Sequence, residues 1–435
     1  MNFKIAFRQI KKQKIYAAIN IGGLAIGIAC CMLIALYIKH ELSYDRHHSK
    51  ADRIYRVTRD MNMQGLQNIN AVTPAPLAKT LKKDYPEVVK AARINPYFAG
   101  TNLVLPEGAQ QKSFEKSFVF ADQEFFEIFD LPLLHGDVNN LLNQPDQVVI
   151  TKKIADKYFP NQNPVGKTLT LNDNTDFVYK ITGVMEEIPS TSHFNYDFWL
   201  SMERLDDSRD NQWLFNNYYT YVVVTPETDP DALTEKMREM EDRYLALQFK
   251  EVSNMDLNEM RASGQYYHFF LKPLTDIHLY SDPNSPQLQG NGDIRAVRIF
   301  GAIAVLILVI ALFNYMNLST AQSATRAKEV GVRKVLGSMR THLVRQFLSE
   351  SLLTTLAAFV IALFLIEAFA KYFSYISDIQ LTVPWLSWWF LPALLLGIVV
   401  IGVLAGLYPA FYMSAFRPIE TLKGELNKGR KSQWL

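Results

Sequence analysis

Two cysteines in 435 residues, adjacent at Cys30 and Cys31 inside an apolar run, leave no disulfide framework for any part of the chain. Charge of one sign is also scarce. With 45 basic and 43 acidic residues the formal net charge is +2, too even for a surface built to hold a polyanion, so nucleic acid is not expected as a partner. His47, His48, His135, His193, His268 and His278 are scattered, without an HExxH spacing or cysteine partners, and read as surface or core histidines rather than metal ligands. Gly166-Lys167-Thr168 resembles the end of a phosphate-binding loop, but Asn161 stands where its first glycine is needed. It reads as a turn entering a hairpin. No acid, base, nucleophile or metal set converges in the sequence, so no catalytic residue, cofactor or metal is expected.

Long apolar runs are present, and they are segregated. Four segments, 15–38, 296–318, 346–370 and 388–412, each approach or exceed the roughly 20 apolar residues that cross a hydrocarbon core of about 30 Å. The first follows a basic leader, 1–14, with Lys4, Arg8, Lys11, Lys12 and Lys14, as a secretory signal would. Its apolar stretch is too long for a signal core, and Gly27 stands where a lipoprotein signal ending at Cys30 wants a bulky residue, so an anchored helix is expected. Trp385, Trp388 and Trp389 cluster at one end of the last span, as interfacial aromatics do. Glycines at 301, 397, 402 and 406 permit close helix contact in lipid. Glu350 and Glu367 are the ionisable residues noted in the spans, each near an end where its head can reach water, which gives little support to a charged ion pathway.

Orientation follows from lysine and arginine. The leader, the 319–345 segment and the tail 413–435 (Arg417, Lys423, Lys428, Arg430, Lys431) are basic, whereas the short loop 371–387 carries only Lys371 at its edge. Both termini and the 319–345 segment are therefore expected in the cytoplasm, and the 39–295 insert and the short loop outside. The insert alternates strand-like runs (53–59, 218–225, 266–271) with helix-like ones (from 77, and 230–247) and a hairpin over 169–184. The expected fold class is an α-helical integral membrane protein with four transmembrane helices and a large inserted α+β extracytoplasmic domain.

On a helix over 326–346, Val332, Val335, Leu336, Met339 and Leu343 fall on one arc and Arg326, Arg333, Lys334 and Arg340 on the other. Such a helix serves either as an anchor on membrane lipid or as a docking element for a cytoplasmic partner. Gly331 and Gly337 favour a turn, and with it the docking element.

The run Lys328-Glu329-Val330-Gly331-Val332-Arg333-Lys334-Val335-Leu336-Gly337-Ser338, then Gln346 to Leu353, resembles the signature after the second span of MacB/FtsX-like ABC transporter permeases. Gly406-Leu407-Tyr408-Pro409-Ala410, Arg417 to Leu422, the stretch 7–27, Asp146 to Pro189 and Pro273 to His278 are similar to the same family. The resemblance implies a non-catalytic permease of the bacterial inner membrane, docking a separate cytoplasmic ATPase through Lys328, Glu329, Arg333, Lys334 and Arg340. ATP-driven motion would pass through the first two spans to the outer domain, MacB-like in this reading, for extrusion of a peptide, antibiotic, lipid or lipoprotein. Members with two such units in tandem imply a homodimer, or a heterodimer with a second permease unit, and the outer domain allows an outer-membrane or periplasmic partner. The alternative is a membrane receptor, or a regulator of an extracytoplasmic partner such as a cell-wall hydrolase, without transport. No inner segment is long enough for a receptor's output domain.

Overall fold

The computed structural model describes residues 14–63, 65–96, 100–108, 112–253, 257–285, 287–288, 290–336, 339–377 and 383–414. The basic leader up to residue 13, Gly337, Ser338, residues 378–382 and the tail from residue 415 lie outside the described residues. The chain forms two compact units: residues 41–294, and the helical remainder from 1–40 and 295–435.

In the helical unit, α1 (Lys14–Leu42) comes first among the described residues. Three helices close it: α8 (Ile294–Val335), α9 (Arg340–Ser377) and α10 (Phe390–Ser414). Stretches of 29, 29, 31 and 23 residues within them are long and apolar enough to cross a membrane. In lipid the hydrophobic effect does not drive helices together, so packing of small residues does. Gly402 and Gly406 of α10 show it: a Cβ on Gly402 would lie 2.7 Å from Leu352 Cδ2, and one on Gly406 2.8 Å from Ser351 Cβ. The close approach lets Ser351 Oγ donate to the Gly402 carbonyl at 2.6 Å. Lys39 lies 4.1 Å above the Trp389 ring, a cation–π contact at the tryptophan cluster.

The outer unit is built on one large mixed sheet. Its strands are β1 (Ile54–Met63), β2 (Leu66–Asn70), β3 (Thr73–Pro74), β4 (Val88–Asn95), β5 (Asn102–Pro106), β6 (Ser113–Glu115) and β7 (Phe118–Ala121). These are followed by β8 (Leu133–Gly136), β9 (Gln147–Thr151), β10 (Thr168–Leu171), β11 (Val178–Met185), β12 (Phe198–Ser201), β13 (Asn216–Val224) and β14 (Tyr266–Pro273). The order across the sheet is β14-β1-β13-β4-β7-β12-β9-β11-β10-β5-β6. β7 with β12 and β9 with β11 run parallel; the other neighbours along that path are antiparallel. Helices α2 (Leu77–Asp84), α3 (Phe125–Ile128), α4 (Lys152–Tyr158), α5 (Pro230–Ser253) and α6 (Leu257–Ala262) lie between strands, and α7 (Ile277–Tyr280) follows the last strand.

β13 shows why these residues form a central strand. Asn-Asn-Tyr-Tyr-Thr-Tyr-Val-Val-Val is rich in aromatic and β-branched residues and buried from Tyr218 onward, so both faces need cover. Alternation supplies it: Tyr219, Tyr221 and Val223 enter one core with Phe125, Phe129, Phe194 and Trp199. Val222 and Val224 enter the core under Leu233, Met237, Met240 and Phe249 of α5. A third core joins Val148 and Ile150 of β9 to Phe118, Phe198 and Ile181.

Candidate functional site

The five residues proposed to dock an ATPase fall where α8 ends and α9 begins. The stretch 326–346, read as an amphipathic helix in which Gly331 and Gly337 favour a turn, is divided between two helices. α8 runs through Gly331 to Val335, and a new helix starts at Arg340. One interior glycine costs a helix only about 1 kcal/mol, too little to stop a continuous 42-residue element. Because the apolar arc is split between two helices, Val332, Val335, Leu336 and Met339 are exposed while Leu343 is buried.

Lys334 and Arg340 converge on the end of α10. Lys334 Nζ donates to the Ser414 carbonyl at 2.7 Å, and Arg340 Nε donates to Ser414 Oγ at 3.0 Å. A helix's last carbonyls lack partners within the helix and carry partial negative charge, so two cations there satisfy both needs. Arg340 sits in the first turn of α9, where that helix's own dipole disfavours a cation; the end of α10 offsets this. Burial, and then the like charge of Arg340, push the Lys334 ammonium below its ordinary range. The side chains of Lys328, Glu329 and Arg333 lie outside the described residues, and only their helical backbone is placed.

In the outer unit, three of the histidines read as surface or core residues prove to be core and engaged in pairs. His278 Nε2 is 3.0 Å from Glu41 Oε2, and its ring stacks on Tyr44 with centroids 3.4 Å apart and planes 2° from parallel. His193 bridges Asp45, with Nδ1 2.9 Å from Oδ1, and the Tyr221 hydroxyl, 2.6 Å from Nε2. Burial alone would raise the Asp45 carboxyl, but the His193 charge and hydrogen bonds outweigh it and hold the group below its ordinary value. His48 Nδ1 accepts from the Asp130 N–H at 3.2 Å, and burial pushes that imidazole down to about 4. No spacing rule could find these pairs, since their members lie as far apart as residues 41 and 278. Among the described residues no group of three or more His, Cys, Asp or Glu is placed to hold a metal ion.

Gly166, at φ +94°, turns the chain into β10, and Thr168 donates from its backbone N–H to Glu107, as a turn entering a hairpin would. A cleft of about 210 Å³ elsewhere on the outer unit is lined by Lys79, Lys82, Glu124, Glu203, Leu142 and Met202 among others.

Four apolar helices with one large α+β insert define a multi-pass membrane protein carrying an extracytoplasmic domain. Residues 17–240 match the MacB-like periplasmic core domain, and residues 301–418 the FtsX-like permease C-terminal domain. The chain belongs to the MacB/FtsX-like family of ABC transporter permeases. An uncharacterised ABC transporter permease of Bacillus subtilis is 21% identical over 98% of this chain and 99% of its own. The macrolide export ATP-binding/permease protein MacB of Neisseria meningitidis is 23% identical over 69% of this chain, which spans only 42% of that protein's length. A domain of a Porphyromonas gingivalis permease protein is similar in structure, with 22% identity, 58% of this chain and 98% of that one covered, and a TM-score of 0.45.

Proposed function

We propose that the chain transmits motion from a separate cytoplasmic ATPase to its outer unit, as the permease subunit of an exporter in the bacterial inner membrane. Both termini face the cytoplasm in this reading. The cargo is a peptide, antibiotic, lipid or lipoprotein, and the working assembly is a dimer with a second copy or a second permease unit. Macrolide export by a relative that carries its own ATP-binding region supports the class of activity. The observation that carries the reading is the junction of α8, α9 and α10. It presents Val332, Val335, Leu336 and Met339 beside two helix ends clamped by Lys334 and Arg340 on Ser414. A rigid junction with an exposed apolar crest suits a surface that must receive force, whereas a lipid anchor needs no such clamp.

The clamp also changes the roles assigned to the charges. Lys334 and Arg340 hold the junction together, and the apolar crest makes the contact. Replacing Leu336 and Met339 together by Asp is expected to lower co-purification of the ATPase on the order of tenfold, as loss of a central apolar anchor does, with membrane insertion unchanged. Undiminished co-purification would rule out the crest as the docking surface.

A further inference from the structure

The outer unit begins and ends at one place. Glu41 is its first residue and Gly292 one of its last, and between them lie Tyr44 and His278, packed face to face. We infer that Glu41, Tyr44, His278 and Gly292 form a clasp that locks the two segments joining the outer unit to α1 and α8 into a single member. Displacement arriving along either helix then enters the sheet as a rigid shift and is not lost in splaying the segments apart. The inference rests on the transmission reading above and names the positioning residues it requires.

Three observations carry it. The carboxylate and imidazole are both 5% exposed and 3.0 Å apart, so separating the segments strands two buried polar groups. Any side chain at Gly292 has to push the ends of its neighbours aside. A Cβ there would sit 2.8 Å from His278 Nε2, 2.9 Å from Leu279 Cδ2, and closer still to Glu41 Oε2. The clasp thus has three sides, and a side chain at the third must displace the Glu41–His278 pair.

Each segment is also tied to the sheet behind it. Asp45, held at φ +57° and fully buried, donates its N–H to the Thr191 carbonyl at 2.8 Å and pairs its carboxylate with His193, which reaches Tyr221 of β13. On the other side Arg56 of β1, 1% exposed, donates to Ser281 Oγ at 3.1 Å and to Gln287 Oε1 at 2.8 Å. Without the clasp, the two ties would fasten the segments to neighbouring strands independently. With it, they form a closed frame.

The test uses the full chain in lipid nanodiscs and reads amide hydrogen exchange. Gly292→Ala and Glu41→Ala are each expected to speed exchange at residues 41–45 and 277–280 together, on the order of tenfold, while β13 keeps its protection. Unchanged exchange, or loosening of one segment alone, would overturn the clasp. A second arm adds an ATPase that co-purifies with the chain and a non-hydrolysable ATP analogue. The wild type should show a nucleotide-dependent change in exchange across the outer unit, and Gly292→Ala should bind the ATPase equally but lose that change. Transmission by Gly292→Ala as strong as the wild type would overturn the mechanical role. If the wild type itself shows no change, the transmission reading falls and that role with it, while the first arm still decides whether the two segments open as one.

Discussion

His48 illustrates how a single buried side chain can set a pH limit. Its Nδ1 accepts a backbone N–H, so protonation would turn that acceptor into a second donor facing the first, inside a shell of Phe129 and Phe194. Burial first, and then the neighbouring His47, push the folded imidazole down to about 4, against an ordinary 6.5 when unfolded. Between those values the unfolded chain binds more protons, so its share of stability is full above about pH 6.5 and is lost as the pH falls toward 4. The shift corresponds to roughly 3 kcal/mol. Thermal unfolding of the outer unit measured against pH should steepen in that window, and His48→Gln, whose amide oxygen can still accept from Asp130, should flatten it. Equal slopes in both proteins would assign the acid sensitivity elsewhere.

Among elements, the helices that face lipid depend on close approach. Replacing Gly402 by Val should overpack the contact with Leu352 and cost about 1–3 kcal/mol, read as a lower unfolding midpoint in detergent. Gly22→Ala, where an added Cβ meets nothing within 4 Å, should cost nothing. Similar midpoints for the two variants would contradict the packing argument. Glycine spacing made the α10 contacts legible in the sequence, because in lipid few other residues allow them. The strand around 54 was legible from its two-residue alternation, those around 216 and 266 from their aromatic and β-branched richness, and the helix from Pro230 from its 3.6-residue period. β7, β9 and β12 were not: Phe118–Ala121, Gln147–Thr151 and Phe198–Ser201 are four or five residues long and buried on both faces, so they show no alternation. At the junction after α8 the turn expected from Gly331 and Gly337 was legible only in part. Periodicity around Gly331 and Gly337 cannot show that a helix runs through the first glycine. It also cannot show that Ser414 draws in Lys334, 80 residues before it, and Arg340, 74 residues before it. The pairings of the buried histidines left no local trace, because the partners lie 82, 148 and 237 residues apart.

At the scale of the whole molecule, the proposed orientation assigns opposite sides of the membrane to two exposed positions. Leu66, 77% exposed at the tip of the β1–β2 hairpin, and Leu336, 80% exposed on the apolar crest, are each suited to carry a cysteine probe in a chain whose own two cysteines sit within α1. An impermeant thiol reagent added to intact spheroplasts should modify Leu66→Cys and spare Leu336→Cys until the membrane is opened. The reverse pattern would invert the route by which force is proposed to travel.

The meeting of Glu41 with Gly292 has a consequence for how such proteins diversify. A domain whose two ends touch spans almost no gap in its host, so it can be exchanged for a domain of another shape while the helices that carry it keep their spacing. The external part can thus vary in shape and size while the transmembrane scaffold remains as it is.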